Sequence, residues 1–533
     1  MTAATGPAPG AMAPFGHRAF TMLWLATVAS NIGTWMHDVG AGWLMTELAP
    51  SPAMVAAVQA ATTLPIFLFA LLAGAVTDIV DRRQLLIRVN AGMGVAALAM
   101  AALVHGGLMT PWLLLVFTFV FGTGAAFIAP AWQAIVPRLV PRSELGAAIA
   151  LNSMGINVSR AIGPALAGFL IVAVGIAAPF LVNALSVVGI VAALWLWRPE
   201  AAKPSTLPPE AVGGAIVAGL RYAANSAALK ATLVRAAAFF LFASAFWAML
   251  PLIAREVLAG GPTLYGLMLA AVGAGAVGGA LVLPRIRARL GADGTVAAGT
   301  VGTAVVMLAM AVVPSQAVAL VASALAGLSW IAVLSSLNVS AQMALPDWVR
   351  ARGLSVFLTV FFGAMSAGSL AWGQVAGAFG LETALVAAAV GAVAMLPLVR
   401  GARLMAGASQ DLAPSMHWPG PVLVGEAPAD RPVMIQVAYA VAPADEAAFL
   451  AKMHALAASR RRGGGYRWSL MRDAAEATRF VESWWEASWL DHQRQHARVS
   501  RDDQALQAEI RALQVEGAPV VRHFVWPGTH ADG

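Results

Sequence analysis

The sequence predicts an all-α polytopic membrane protein: twelve transmembrane helices in two six-helix repeats, followed by a C-terminal α+β domain. Three observations carry that expectation. Twelve runs stay apolar over about 20 residues, the length that takes a helix across a bilayer. Of the twenty basic residues in the first 405 positions, eighteen fall on one side of the alternation these runs define. A shift of 205 residues brings punctuating residues of the first six runs onto those of the last six.

The runs are 19–46, 53–77, 84–106, 110–136, 145–173, 177–197, 231–254, 264–284, 295–313, 317–343, 353–379 and 381–399. Arg18 precedes the first, and Arg82, Arg83 and Arg88 follow the second. Arg138 and Arg142 follow the fourth; Arg198, Lys203, Arg221 and Lys230 follow the sixth, with Arg235 just inside the seventh. Arg285, Arg287 and Arg289 come after the eighth, Arg350 and Arg352 after the tenth, Arg400 and Arg403 after the twelfth. Only Arg255 lies opposite, and Arg160 sits within the fifth run. By the positive-inside rule both termini are cytoplasmic, so the expected location is the cell's inner membrane with the tail in the cytoplasm.

Composition agrees. The chain is 59% hydrophobic and 11% charged, which a soluble chain of 533 residues does not show. Its formal charge of +7 is accounted for by topology-setting loops, so no nucleic-acid partner is expected. With no cysteine, disulfides, thiolate metal sites and cysteine catalysis are excluded. Residues 1–16, rich in Ala, Pro and Gly, read as a disordered N-terminus. The first run is too long for a signal-peptide core and holds Asn31, His37 and Asp38, so it reads as an uncleaved helix. The halves are 17–200 and 231–403, joined by a cytoplasmic central loop, 201–230.

The repeat supports duplication. Gly74 meets Gly279 and Arg82 meets Arg287; Pro141 meets Pro346; Gly163 and Gly168 meet Gly368 and Gly373. Two halves of common design rock against each other around a midplane site, which gives alternating access.

After the second run stands Gly74-Ala75-Val76-Thr77-Asp78-Ile79-Val80-Asp81-Arg82-Arg83. This resembles the loop 2–3 signature of the major facilitator superfamily, a glycine, an aspartate four residues on, then a basic pair. The resemblance implies the major facilitator fold and a conformational latch built from Gly74, Asp78, Asp81, Arg82 and Arg83. Two departures stand out: Ile79 replaces the arginine that often follows the aspartate, and the second-half copy has Leu283-Pro284 with no acid, so the latch is asymmetric. In the fifth run, Gly163-Pro164-Ala165-Leu166-Ala167-Gly168 resembles the superfamily's exporter-associated helix-packing motif, with Ala167 where a second glycine is frequent. Ser30-Asn31-Ile32-Gly33-Thr34-Trp35-Met36, Thr63-Leu64-Pro65 and the Asp-Arg-Arg ending resemble the enterobactin-exporter-like branch, also described as transmembrane secretion effectors.

Ionisable groups within the bilayer mark function because each is costly there. Asp38, at four residues from Thr34, and Asn31 beside it form a polar stripe on the first span. Asn152, Asn157 and Arg160, spaced at five and three, form another on the fifth. In the superfamily fold these spans line or flank the central cavity, so both stripes are expected to face it, with Gln59 and Asn338 as further polar candidates. A partly desolvated carboxylate can load and release a proton, which makes Asp38 the expected proton carrier and Arg160 its conformation-dependent partner or a cargo contact. The alternative is a permanent Asp38–Arg160 tie between spans. His37, pointing elsewhere, is expected at the membrane interface.

After Arg403 a Pro/Gly-rich stretch, within 404–430, reads as a flexible linker. Residues 431–527 read as a water-soluble βαββαβ unit: strands at 432–441, 466–472, 478–486 and 520–526, helices at 443–461 and 488–516, a ferredoxin-like order. Phe480-Val481-Glu482-Ser483-Trp484-Trp485-Glu486 with Trp489, His492 and His496 resembles the antibiotic-monooxygenase-like dimeric α/β-barrel domains. That resemblance implies a homodimer through this domain. His492 and His496 have metal-ligand spacing, but with no acid partner implied and no third ligand, packing and solvent contact at a dimer surface are expected and no metal. Arg460-Arg461-Arg462 reads as a lipid-facing or solvated turn.

No P-loop is present and no nucleophile arrangement or flavin motif appears in the tail, so neither an enzyme nor a cofactor is expected. The function expected is proton-coupled efflux of a small organic molecule such as a drug, siderophore or secondary metabolite. Two alternatives stand beside it: a transporter whose tail modifies the cargo, and a non-transporting receptor or assembly factor.

Overall fold

The computed structural model describes residues 10–49, 51–198, 212–404, 410–418, 431–496, 498–515 and 517–526. Among them ten helices are long and apolar enough to cross a membrane. The helices are α1 (Arg18–Leu48), α2 (Pro52–Ile79), α3 (Arg82–His105), α4 (Pro111–Ile135), α5 (Leu145–Ala173) and α6 (Ala178–Leu196) in the first half. A short α7 (Val212–Asn225) precedes α8 (Ala227–Leu252), α9 (Pro262–Val312), α10 (Gln316–Met343), α11 (Arg350–Phe379) and α12 (Leu381–Leu398). The 51-residue α9 is two spans joined at a corner, where Gly291 takes φ 66° and ψ −177°, a backbone open to glycine and not to other residues. Dividing it there and adding the 31-residue α1 recovers twelve spans. α1 misses the apolarity of the ten because Asn31, Thr34, His37 and Asp38 dilute it.

The chain forms two compact units, one of Met1–Pro209, Leu233–Asn338 and Phe357–Gly401, the other of Glu210–Thr232, Val339–Val356 and Ala402–Gly533. In the first, α1 packs on α5 and α6, α2 and α3 pack on α4, and α5 packs on α9 across the halves. The repeat glycines perform matched tasks. A Cβ at Gly163 would stand 2.6 Å from Trp35 of α1, and one at Gly368 would collide with Leu241 and Ser244 of α8, the first span of its own half. A Cβ at Gly168 would stand 2.6 Å from the Pro262 carbonyl of α9, and one at Gly373 2.6 Å from Ala56 of α2, each the second span of the opposite half. Absent side chains thus let backbones meet where lipid supplies no hydrophobic drive between helices.

The largest apolar cluster draws on both halves: Val39, Leu44 and Phe180 join Phe246, Met268 and Leu385 at the end away from the arginines. At the arginine-bearing end, Phe20, Leu23, Leu86, Ile135 and Leu194 make a cluster of first-half residues alone. The halves are therefore welded at one end of the bundle.

The second unit holds a four-stranded antiparallel sheet ordered β2-β3-β1-β4, from β1 (Val433–Ala440), β2 (Tyr466–Arg472), β3 (Arg479–Glu486) and β4 (Val520–Val525). β3 lies between β1 and β2, the split βαβ order expected from the strand and helix sequence. On one face Val433, Ile435, Val437, Phe480 and Trp484 pack against Phe449 of α13 (Glu446–Gly463) and Ile510. The single helical region expected at 488–516 is two helices, α14 (Trp489–His496) and α15 (Arg501–Arg511). Ser500 divides them by capping α15 in a reciprocal box with Asp503.

Two expectations are corrected here, on the N-terminus and on the linker. Residues 10–16 are not disordered: Ala13–Gly16 is a 3-10 turn with Pro14 buried. Within the central loop, α7 packs on α13, with Arg221 donating to the Gly464 carbonyl at 2.8 Å. Of the expected flexible linker, residues 410–418 form a strap: Pro414 bridges Ser500, and the Ser415 amide donates to the Val499 carbonyl at 2.9 Å. The rest of the linker, 405–409 and 419–430, lies outside the described residues.

Candidate functional site

Ser30, Thr34, Asp38 and Gly42 follow one another at four residues and so share a face of α1. A Cβ at Gly42 would lie 2.9 Å from Tyr265 Oη of α9 and 3.5 Å from Pro251 of α8, which fixes where that face looks. It looks at the second half. Asp38 is exposed on it, without a hydrogen bond or ion pair among the described residues. Thr34 is exposed and back-bonds to the Ser30 carbonyl at 3.0 Å, while Asn31 is half-buried.

Gly155, Ser159 and Gly163 form the ridge by which α5 seats on α1, with Ser159 Oγ donating to the Val28 carbonyl at 3.2 Å. The turn that follows serves α9, through Pro164 and Gly168. Arg160 lies between these two contact faces. Its guanidinium stacks over the Trp35 ring, Cζ 5.3 Å from the centroid, and its Nε is buried without a hydrogen-bond partner. No ion pair joins it to Asp38 among the described residues. Trp35 takes the guanidinium instead, because Gly163 brings α5 against that ring.

The other polar candidates are held locally. Asn152 Oδ1 accepts from Trp132 Nε1 at 3.1 Å, and Asn157 Nδ2 donates to the Ser153 carbonyl at 2.9 Å. Gln59 and Asn338 are half-buried on α2 and α10. His37 is not interfacial: it is buried, its ring 4.1 Å from Phe121 and 5.0 Å from Phe180.

At the latch, Asp81 caps α3 by accepting from the Gln84 amide at 2.8 Å. Arg83 donates to the Leu194 and Trp195 carbonyls, each at 2.7 Å, and so closes the end of α6. Arg82 Nε donates to the Thr77 carbonyl at 3.3 Å. Gly74 makes no close approach in this state, since a Cβ there would meet nothing within 4 Å. The Asp78 side chain lies outside the described residues.

Sequence reasoning missed the contacts that cross between halves. Thr63 Oγ1 and Ser366 Oγ lie 2.7 Å apart, buried between α2 and α11. Arg255, the one cation at the far end, donates to the Thr46 carbonyl and, at 3.0 Å, to Thr46 Oγ1. Its isolation from the other loop arginines was the available signal.

The family profile described as transmembrane secretion effector, a major facilitator class, matches residues 9–529. The chain belongs to that family. The chain is 26% identical over 422 residues to the multidrug efflux pump Tap of Mycobacterium bovis, across 76% of its own length and 97% of the pump's. It is 24% identical over 268 residues to the staphyloferrin A transporter of Staphylococcus aureus, across 49% of its own length and 65% of that protein's. A bacterial homologue of the human lysosomal transporter Spinster, solved inward-facing and unoccupied, superposes with a TM-score of 0.53 at 15% identity, over 72% of this chain and 94% of the homologue. A POT family transporter complexed with 5-aminolevulinic acid gives 0.59 at 11% identity, over 74% and 97%. These two likenesses establish the fold. The protein is a multi-pass membrane protein of a transporter family.

Proposed function

We propose that this chain exports a small organic molecule by proton antiport and alternating access. The observation that carries the reading is Asp38, a carboxylate without an ion-pair partner among the described residues, on the face of α1 that looks across to the second half. A carboxylate on a face that opens between the two halves exchanges its proton with whichever side is open, so cargo and proton can take turns in one chamber. Arg160 on its Trp35 platform supplies cationic and π character for cargo, and Asn31, Thr34, Gln59, Asn152, Asn157 and Asn338 supply hydrogen bonds. With the arginines cytoplasmic, the state described here is inward-facing, its outer end sealed through Gly168, Gly373 and the shared apolar cluster. In the outward-facing state Gly74, Asp78, Asp81, Arg82 and Arg83 would close the cytoplasmic end. Export is favoured over import by the Gly163–Gly168 motif and by the name of one relative, a multidrug efflux pump.

The test is ethidium flux in proteoliposomes under an imposed pH gradient. Wild-type protein should move dye against its gradient, and Asp38→Asn should bind dye without gradient-driven movement. Normal driven flux in Asp38→Asn would overturn the coupling assignment. Removing residues 406–533 should leave flux intact, which separates a transporter with a regulatory tail from one whose tail acts on the cargo. The outward sheet face, with Met434, Met471, Val481, Trp485 and Phe524, is the surface on which a second copy would pair.

A further inference from the structure

The end of α1 is capped by a side chain from the other half. Thr46 lies in the last turn of α1, so its carbonyl has no partner within the helix, and Pro50, four residues on, has no N–H to give. Arg255 donates to that carbonyl and, at 3.0 Å, to Thr46 Oγ1. The Thr46 hydroxyl gives its own hydrogen to the Trp43 carbonyl at 2.7 Å, so its oxygen is free to accept from the guanidinium. A cation at a helix C-terminus also meets the negative end of the helix dipole. Glu47, the adjacent acid, is exposed and accepts from Trp43 Nε1 at 2.7 Å. Arg255 forms no ion pair among the described residues, so its charge is committed to the end of α1.

The backbone that presents Arg255 is irregular in two places. α8 runs into a π-turn, Ile253–Val257, where the Leu258 amide reaches back to the Ile253 carbonyl at 3.0 Å. Such wide turns are rare and occur mostly at functional sites. Ala259 then takes φ 46°, the left-handed place after a helix that glycine usually fills, although glycines follow at 260 and 261. A residue with a side chain persists there only when its surroundings hold it. The Gly260 amide donates to the Ala254 carbonyl at 2.8 Å, and Gln316 Nε2 of α10 donates to the Leu258 carbonyl at 3.2 Å. The third tether of this turn is Arg255 itself.

Thr46 continues the face of α1 that carries Thr34, Asp38 and Gly42, eight residues and about 12 Å beyond Asp38 along the axis. The cap and the carboxylate therefore ride on one helix. Because α1 and α8 are the first spans of their halves, parting the halves at this end breaks the Arg255 contacts.

We propose that Arg255 is a latch at the end away from the loop arginines: engaged with Thr46 it closes the chamber there, and its release lets the π-turn and Ala259 relax as the halves part. The latch rests on alternating access but not on proton coupling or on the direction of transport.

The test uses the full-length protein with one cysteine placed at Thr34, exposed on the same face of α1, since the chain otherwise has none. A membrane-impermeant maleimide is applied to right-side-out and to inside-out vesicles. With Arg255 intact, labelling should come mainly from the arginine-rich face. Arg255→Ala should raise labelling from the opposite face about fivefold and lower it from the arginine-rich face, the shift that loss of a cation from a helix C-terminus produces. Arg255→Lys, which keeps a cationic donor at the carbonyl, should restore most of the closure. Thr46→Val, which leaves the carbonyl in place, should shift sidedness less than Arg255→Ala. Adding Ala259→Gly to Arg255→Ala should reverse part of the shift, because glycine takes the left-handed backbone without strain. Melting curves of each variant verify folding. Unchanged sidedness in folded Arg255→Ala, while Gly168→Val still shifts it, would overturn the latch and leave alternating access standing. Faster labelling from both faces would overturn it too, since loosened packing alone gives that result. Sidedness that no variant shifts would overturn alternating access and the latch with it.

Discussion

Thr63 Oγ1 and Ser366 Oγ, 2.7 Å apart, make a buried hydrogen bond from α2 to α11 and so from one half of the bundle to the other. Each hydroxyl also has a carbonyl of its own helix within reach, Gln59 at 2.9 Å from Thr63 and Phe362 at 2.8 Å from Ser366, so one donates across the halves while the other back-bonds. Losing the cross-half bond therefore strands no donor. Thr63→Val should weaken the seal by only about 0.6 kcal/mol, the average for such bonds in membranes. Because the chain contains no cysteine, a single cysteine at Ala53 gives a clean readout. Its labelling rate should rise about two- to threefold in Thr63→Val, the change that such an energy produces.

Gly168 and Gly373 seat against the opposite half from related positions in the repeat, so the same substitution should act alike at both. Valine at either cannot fit beside Pro262 or Ala56 without parting the helices. Gly168→Val and Gly373→Val should each raise labelling at the sealed end and depress flux. Gly74 distinguishes the two states. Valine has room there in the state described, so Gly74→Val should fold normally yet block flux if the opposite end must close on α2. Unchanged flux in Gly74→Val would remove that residue from the latch.

The span pattern was readable because apolarity, loop charge and glycine spacing are local properties that the bilayer amplifies. The stripe of Thr34 and Asp38 was readable for the same reason, as four-residue spacing fixes a face. Which group Arg160 meets was not. A long guanidinium chooses among Asp38, carbonyls and an aromatic ring, and the choice follows from how closely Gly163 lets α5 approach Trp35. His492 shows the same limit in the tail. Its acid, Glu486, is six residues upstream at the end of β3, and only the turn into α14 brings them to 3.1 Å. His492 is accordingly buried and does not face solvent at a surface. The three arginines after Ser459 read as one basic turn, but they part company in the fold. Arg460 is buried on Glu482, Arg461 stacks over Trp468, and Arg462 pairs with Asp503 at 2.9 Å.

Glu482 is the keystone of the tail's polar interior, fully buried and receiving Arg460, Tyr439 and Trp468 together. Removing one partner of a buried ion pair costs about 3–5 kcal/mol, because the other is left charged in a poor solvent. Glu482→Ala should therefore uncouple the tail's melting from the membrane bundle and expose it to proteolysis. Tyr439→Phe removes one hydrogen bond to the same carboxylate and should cost roughly 1–3 kcal/mol. Limited proteolysis of both variants in nanodiscs ranks the two effects.

Acid should loosen the tail before it affects the bundle. His496 is held neutral, moved from 6.5 to about 4 chiefly by burial with help from His492, and His523 and His417 are lowered as well. Above the unfolded value near 6.5 these imidazoles are neutral folded or unfolded and contribute no pH dependence. As pH falls below it, the unfolded chain takes up protons that the folded tail refuses, so stability declines until the folded value near 4 is reached. The half-exposed positions of His496 and His523 moderate the effect without reversing its sign. Hydrogen exchange of the 466–526 amides should quicken between pH 6.5 and 4, after correction for intrinsic rates, and His496→Gln should flatten that dependence. Exchange that slows across the same window would mean the imidazoles gain protons on folding, contrary to their burial among one another.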